Sequence, residues 1–283
     1  MTMSKPVQID IEEIFKKKSG GLHHVFPGFF YRYLKGIIHE DEINAFLKNN
    51  YHKNGVDFLD ESLKTFGGSE KIIGTEHLPE NSNVIFAANH PLGSIDGLSL
   101  IRAVHHRYGR VKVLVNDILL TVEPLQEFFI GFNKHGRTKR EIIKELNSVL
   151  KSDAPLIYFP SGLVSRKIDG EVQDTEWKKT FITNASKYKR DIIPTHISGE
   201  LSSFFYNIYK FRQIFHIRTN IEMLYLPHEM FKLKQKELHI TFGQPISNEM
   251  FSDNRMHSHQ AAQIREHIYK LADCPGLEFE PEI

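Results

Sequence analysis

Ala87-Ala88-Asn89-His90-Pro91-Leu92-Gly93-Ser94-Ile95-Asp96-Gly97 is the stretch whose reading decides both fold and chemistry. Before it, Asn83-Val84-Ile85-Phe86 reads as a buried strand; after it, Leu98 to Val104 reads as a helix. A histidine therefore stands at a strand end, and a carboxylate follows six residues later at a helix start. Pro91 and Gly93 suit a tight turn between the two elements. Two readings of the pair stand side by side. In one, His90 is an ordinary turn residue and Asp96 caps the helix by accepting its free N–H groups. In the other, the carboxylate fixes one tautomer of His90 and leaves the opposite ring nitrogen to take a proton.

Outward from this turn the pattern repeats. Val84–Ala88, Val111–Val115, Leu156–Phe159, Ile192–His196 and Leu238–Phe242 are short apolar runs of strand type. Between and after them Gly97–Tyr108, Glu123–Gly131, Arg137–Lys151, Trp177–Lys187, Leu201–Gln213 and Asn254–Ala272 read as helices. The alternation predicts an α/β fold with a mostly parallel central sheet flanked by helices. Ligands of such sheets bind outside the carboxyl ends of the strands, where His90, Ser161 and His196 fall. Residues 1–66 differ. They contain no strand-like run and read as a helical N-terminal region ahead of an α/β domain at 67–283. Within it, Phe26 to Ile38 is aromatic with interspersed basic residues, a pattern that suits either a helical cover for the sheet or contact with a lipid surface.

Composition narrows the classes. Lys and Arg total 36 against 35 Asp and Glu, so no global charge argues for nucleic acid. The single cysteine, Cys274, excludes an internal disulfide. No run approaches the roughly 18 apolar residues of a spanning helix, and Met1 to Lys18 lacks the apolar core of a signal peptide, so a cytoplasmic protein is expected. The 16 histidines match no zinc spacing, and no metal site is expected.

Two further segments can carry chemistry. Tyr158-Phe159-Pro160-Ser161-Gly162 runs from a strand into a turn and then to Arg166-Lys167, where the cations could hold a phosphate or be solvated. Ser161 lacks the Gly-x-Ser-x-Gly surroundings of a serine nucleophile. Gly131 to Arg140 places four cations in seven residues before a helix, an arrangement suited to an anion or to a solvated loop.

Asn89-His90-Pro91 with Asp96-Gly97, then Gly131 with Arg137, then Phe159-Pro160-Ser161-Gly162, then Pro194, together resemble in order the four blocks of the glycerolipid acyltransferase superfamily. The bacterial hemolysin-like branch is the more similar, because its third block carries a small residue where others carry Glu. The likeness spans roughly residues 80–246. One departure concerns spacing: five residues, not four, separate His90 from Asp96, which Gly93 must absorb. The resemblance implies an O-acyltransferase in which His90 is the general base and Asp96 its orienter. Backbone N–H groups near Gly162 would stabilise the oxyanion. Arg137 would bind the acidic head group, with Arg166 and Lys167 as alternatives, and Phe159, Pro160, Ser161, Gly162 and Pro194 would line the substrate. It also implies no bound cofactor, an acyl-CoA or acyl-acyl carrier protein donor, and a lyso-lipid acceptor, glycerophosphate-based or an N-acyl amino acid. The acyl chain would run past Ile118-Leu119-Leu120 and Phe128-Phe129-Ile130. A lipid acceptor places the protein at the inner face of the cytoplasmic membrane, as a peripheral protein. The competing expectations are a non-catalytic membrane-perturbing protein and a hydrolase or transferase using Ser161 as nucleophile.

Overall fold

Short apolar runs cannot bury both faces alone, and here they are stacked between helical layers. The protein is described by a computed structural model over residues 8–18, 27–115, 119–131, 139–217, 219–233 and 236–281. Four helices come first: α1 (Ile11–Lys18), α2 (Gly28–Ile37), α3 (Glu40–Asn50) and α4 (Gly55–Phe66). There follow β1 (Ser69–Ile73), β2 (Val84–Ala88), α5 (Ile95–Tyr108), β3 (Lys112–Val115), β4 (Phe129–Gly131), α6 (Lys139–Lys151) and β5 (Leu156–Tyr158). The chain continues through β6 (Arg166–Ile168), β7 (Glu171–Gln173), α7 (Thr180–Tyr188), β8 (Asp191–Ile197), α8 (Ser203–Ile214), α9 (Leu226–Lys232), β9 (Glu237–Phe242) and α10 (His257–Lys270).

Seven strands form one sheet in the order β1-β9-β8-β2-β5-β3-β4. Every neighbouring pair is parallel except β8 with β9, so the sheet is mostly parallel, as the alternating pattern predicts. β2 is buried along its whole length, as a strand covered on both faces must be. Side chains alternate between faces. Phe86 and Ala88 enter a core shared with α4 and α5, whereas Ile85 and Ala87 enter one shared with α7 and α10. Phe58, Leu59, Leu63 and Phe66 of α4 belong to that first core, so the N-terminal helices are packed on the sheet.

The expected helix at Glu123–Gly131 is replaced by a short 3₁₀ turn at Glu123–Leu125 and by β4, which pairs with β3. Phe128, Phe129 and Ile130 are consecutive and all buried. A strand between two layers accommodates that; one face of a helix does not. β1 gives little sequence signal because its residues are largely exposed at the sheet edge. β6 and β7 form a hairpin closed by Asp169 and Gly170, both at positive φ, the pattern of a tight Asp-Gly turn. His196 is the penultimate residue of β8, with its ring edge-on to Tyr269, and burial pushes its pKa down to about 4.

Candidate active site

β2, β5 and β8 are adjacent and parallel, so the loops leaving their carboxyl ends meet at one edge. The loop after β2 is built around Asp96, which is fully buried. Its Oδ2 accepts the N–H groups of Leu92 (2.8 Å) and Gly93 (3.2 Å), and its Oδ1 accepts that of Gly97 (2.9 Å). His90 Nδ1 lies 3.0 Å from Oδ2. The N–H direction is oblique to that line, so the contact is stronger as a charge pair than as a hydrogen bond. The five-residue gap is closed by Gly93, at φ +75°, where a Cβ would meet Val164 at 2.7 Å. Capping and orientation are thus not alternatives: one carboxylate folds the turn, starts α5 and contacts the imidazole.

Behind His90 stands a second carboxylate that the sequence motifs do not single out. Asp174 is buried; its Oδ1 accepts the Ser165 hydroxyl (2.5 Å) and the His90 backbone N–H (3.2 Å), and its Oδ2 accepts the Trp177 indole N–H (2.9 Å). It follows β7 directly, so the β6–β7 hairpin delivers it. Asn89, equally unassigned, bonds both backbone groups of Ile197 through its amide and ties the loop to β8. Burial by itself pushes the His90 pKa down, but the Asp96 carboxylate, helped by Asp174, reverses this and sets it above the ordinary histidine range. Burial likewise works against ionised Asp96, yet His90 and the Leu92 and Gly97 N–H groups hold its pKa below the usual carboxylate range.

The other expected site residues divide. Phe159 packs against the His90 ring in a tilted pair, 4.2 Å between centroids, and Pro160 and Gly162 line the same cavity. Ser161 is buried and its hydroxyl donates to the Leu163 carbonyl (2.7 Å), with no contact to His90. The Gly162 N–H donates to the Phe159 carbonyl (2.9 Å), so this group is engaged in the turn and is not a free oxyanion donor. Arg166 requires correction. It is buried, bound to the buried Glu222 carboxylate (2.9 Å) and stacked on Phe205 and Tyr209, which leaves no face for a substrate phosphate. Lys167 is exposed on the hairpin and does not line the cavity. Pro194 lies within β8 opposite Ala87 and is likewise no lining residue. Arg137 and Ile118 lie outside the described residues. No cluster of potential metal ligands occurs among the described residues.

The cavity beside His90 has a volume of about 880 Å³. Its floor comes from Val113, Val115 and Phe129, and its cover from Phe46, Phe58 and Phe66 of α3 and α4. Leu119 and Phe129 are the members of the two expected channel stretches that face it; Leu120, Phe128 and Ile130 are buried in the core instead. Such a space, apolar in depth with an imidazole in its lining, has the size and character to suit an elongated apolar ligand.

The chain is similar to several known proteins. The acyltransferase family model matches residues 13–275. A protein of Phocaeicola vulgatus named lyso-glycine lipid O-acyltransferase is 40% identical over 272 residues, covering 96% of this chain and 98% of its own. One of the same name from Bacteroides thetaiotaomicron is 38% identical over 272 residues, covering 96% of this chain and 100% of its own. The crystal structure of the 1-acyl-sn-glycerophosphate acyltransferase PlsC from Thermotoga maritima aligns with a TM-score of 0.49 at 15% identity, covering 93% and 96% of the two chains.

If neutral His90 is the reactive form, kcat/KM rises with pH and levels off above the raised His90 pKa. Asp96→Asn removes the charge that supports the imidazolium, so the acid limb moves to lower pH. Acyl transfer should also fall by about 10²–10⁴-fold at alkaline pH, where the imidazole is neutral in both proteins. The pH–rate profiles of the two proteins measure both effects; an unmoved limb would contradict the pairing.

Proposed function

The chain belongs to the acyltransferase family, and from that membership we propose that it moves a fatty acyl group from an acyl thioester to the hydroxyl of a lyso-glycine lipid. The acceptor is an N-(3-hydroxyacyl)glycine, and the donor is a thioester of coenzyme A or acyl carrier protein. The observation that carries the reading is the pairing of buried Asp96 with partly exposed His90, which opens on an apolar cavity of acyl-chain size. The acceptor class rests on the two lyso-glycine lipid O-acyltransferases, each matched over nearly its whole length.

With Nδ1 facing Asp96, Nε2 is left to accept the acceptor's hydroxyl proton as its oxygen attacks the thioester carbonyl. The tetrahedral intermediate expels the thiolate, which takes the proton from the imidazolium. An ester bond forms, a C–S bond breaks, and no covalent enzyme intermediate is required because the donor is already activated. Phe159 packs on the imidazole and limits its rotation. Asp174 fixes the backbone on which His90 is mounted. The engagement of the Ser161 hydroxyl by Leu163 favours this direct route over a serine intermediate.

Access to lipid is proposed to come from one exposed apolar face. Among the described residues no helix is long and apolar enough to cross a membrane. On α2, Phe29 and Tyr33 are 74% and 52% exposed; on and just after α8, Ile214 and Phe215 are 71% and 61% exposed. Tyr225 joins the two helices, with its hydroxyl 2.7 Å from that of Tyr33 and its ring 5.1 Å from Phe204. Neither α2 nor α8 contains a carboxylate, while Arg32 and Lys210 are exposed. An apolar, cationic face of this kind suits an anionic bilayer surface.

Two outcomes follow. In cells lacking the protein, wild type should restore the diacylated glycine lipid and His90→Ala should leave the lyso form accumulating, as read by lipid mass spectrometry; equal restoration by both would refute the base. Phe29→Glu with Phe215→Glu should reduce sedimentation with anionic vesicles at least tenfold, with an unchanged melting temperature. Unaltered sedimentation would count against this face.

A further inference from the structure

Within the acyl-transfer reading above, on which this step rests, we infer that Lys178 binds the free carboxylate of the acceptor lipid. The cations expected for an anionic head group do not reach the cavity: Arg166 is engaged by Glu222, and Lys167 lies on the exposed hairpin. Lys178 does reach it. Among the described residues that line the cavity it is the only lysine or arginine.

Its root is rigid and its charge is free. The Lys178 N–H donates to the Pro160 carbonyl (3.1 Å), holding the residue against the Phe159–Gly162 turn. Its neighbour Trp177 is buried and bonded to Asp174, the carboxylate that also accepts the His90 N–H. Lys178 is therefore anchored to both segments that shape the site around His90. Its side chain is exposed and passes over Gly162, with Nζ 3.5 Å from the position a Cβ there would occupy. Gly162 has φ +65°, and the absence of a side chain leaves room for the lysine and a ligand together. Lys16, Lys35, Lys53 and Lys232 each pair with a carboxylate. Lys178 has no ion-pair partner among the described residues. An ammonium without an ion-pair partner among the described residues, in the lining of an apolar cavity that also includes Glu123, attracts an amphiphile with an anionic head. In an N-(3-hydroxyacyl)glycine only a short amide link separates hydroxyl from carboxylate. A base and a cation lining one cavity can therefore hold the two groups at once. The same cation would select acids over neutral lyso-lipids, because a neutral head leaves it without a partner.

The test separates binding from turnover. N-palmitoylglycine carries the carboxylate but no hydroxyl to acylate, and its methyl ester lacks the charge. Binding of both is measured by calorimetry to the full-length wild type, Lys178→Ala and Lys178→Arg. The wild type should prefer the acid to the ester by about tenfold, a preference that shrinks with added salt. Lys178→Ala should weaken the acid by that factor and leave the ester unchanged, and Lys178→Arg should recover most of the loss. Acid binding by Lys178→Ala equal to wild type overturns the inference. So does an equal loss for acid and ester, which would indicate a structural role. Selective binding of the acid by a wild type that transfers nothing to the hydroxylated lipid upholds the carboxylate site while overturning the acyl-transfer reading.

Discussion

A buried carboxylate is stable only when its lone pairs are matched, and the site depends on how Asp96 meets that demand. Three backbone N–H groups, from Leu92, Gly93 and Gly97, converge on it together with the His90 imidazole. Removing any of these partners changes the others. Without the N–H groups the Asp96 pKa rises and the charge that supports His90 weakens. Without the charge the turn loses the acceptor around which it winds. Folding of the loop after β2 and placement of the His90 ring are therefore one event, and Gly93 at positive φ is the backbone condition for it.

Around that centre the fold gives separate layers separate roles. The strand ends carry the polar groups, and α3 and α4 cover the apolar depth. The N-terminal helices thus line the cavity beside His90 as well as the core. Glu222 is a second buried carboxylate that ties segments together. It lies between Arg166 of the hairpin and Arg212 of α8 (2.9 and 3.0 Å) and fastens the exposed apolar helix to the segment that shapes the site. Breaking one side of such a buried pairing costs about 3–5 kcal/mol, so α8 is held firmly where it faces outward.

Much of this is legible in the sequence because it is local. Short apolar runs mark β2, β8 and β9, and the His90–Asp96 spacing lies within one turn. The residues that escape a reading of the sequence act across the chain. Asp174 and Lys178 have no motif of their own; they reach the site because the β6–β7 hairpin returns them to the loop after β5. Arg166 looks available for phosphate because its partner, Glu222, is 56 residues away in sequence. The stretch Glu123–Gly131 contains helix-compatible residues, but the need to bury Phe128, Phe129 and Ile130 together makes its end a strand. Arg137 lies outside the described residues, so its role stays with the resemblance that suggests it.

In the proposed mechanism Asp96 holds His90 with its proton on Nδ1 and Nε2 free to act as base. Nitrogen NMR of the ¹⁵N-histidine-labelled protein reads this directly, with His90→Gln identifying the resonances. The account predicts the Nδ1–H tautomer at alkaline pH and a His90 titration above the ordinary histidine range, falling in Asp96→Asn. An Nε2–H tautomer, or a titration unmoved by Asp96→Asn, would contradict it.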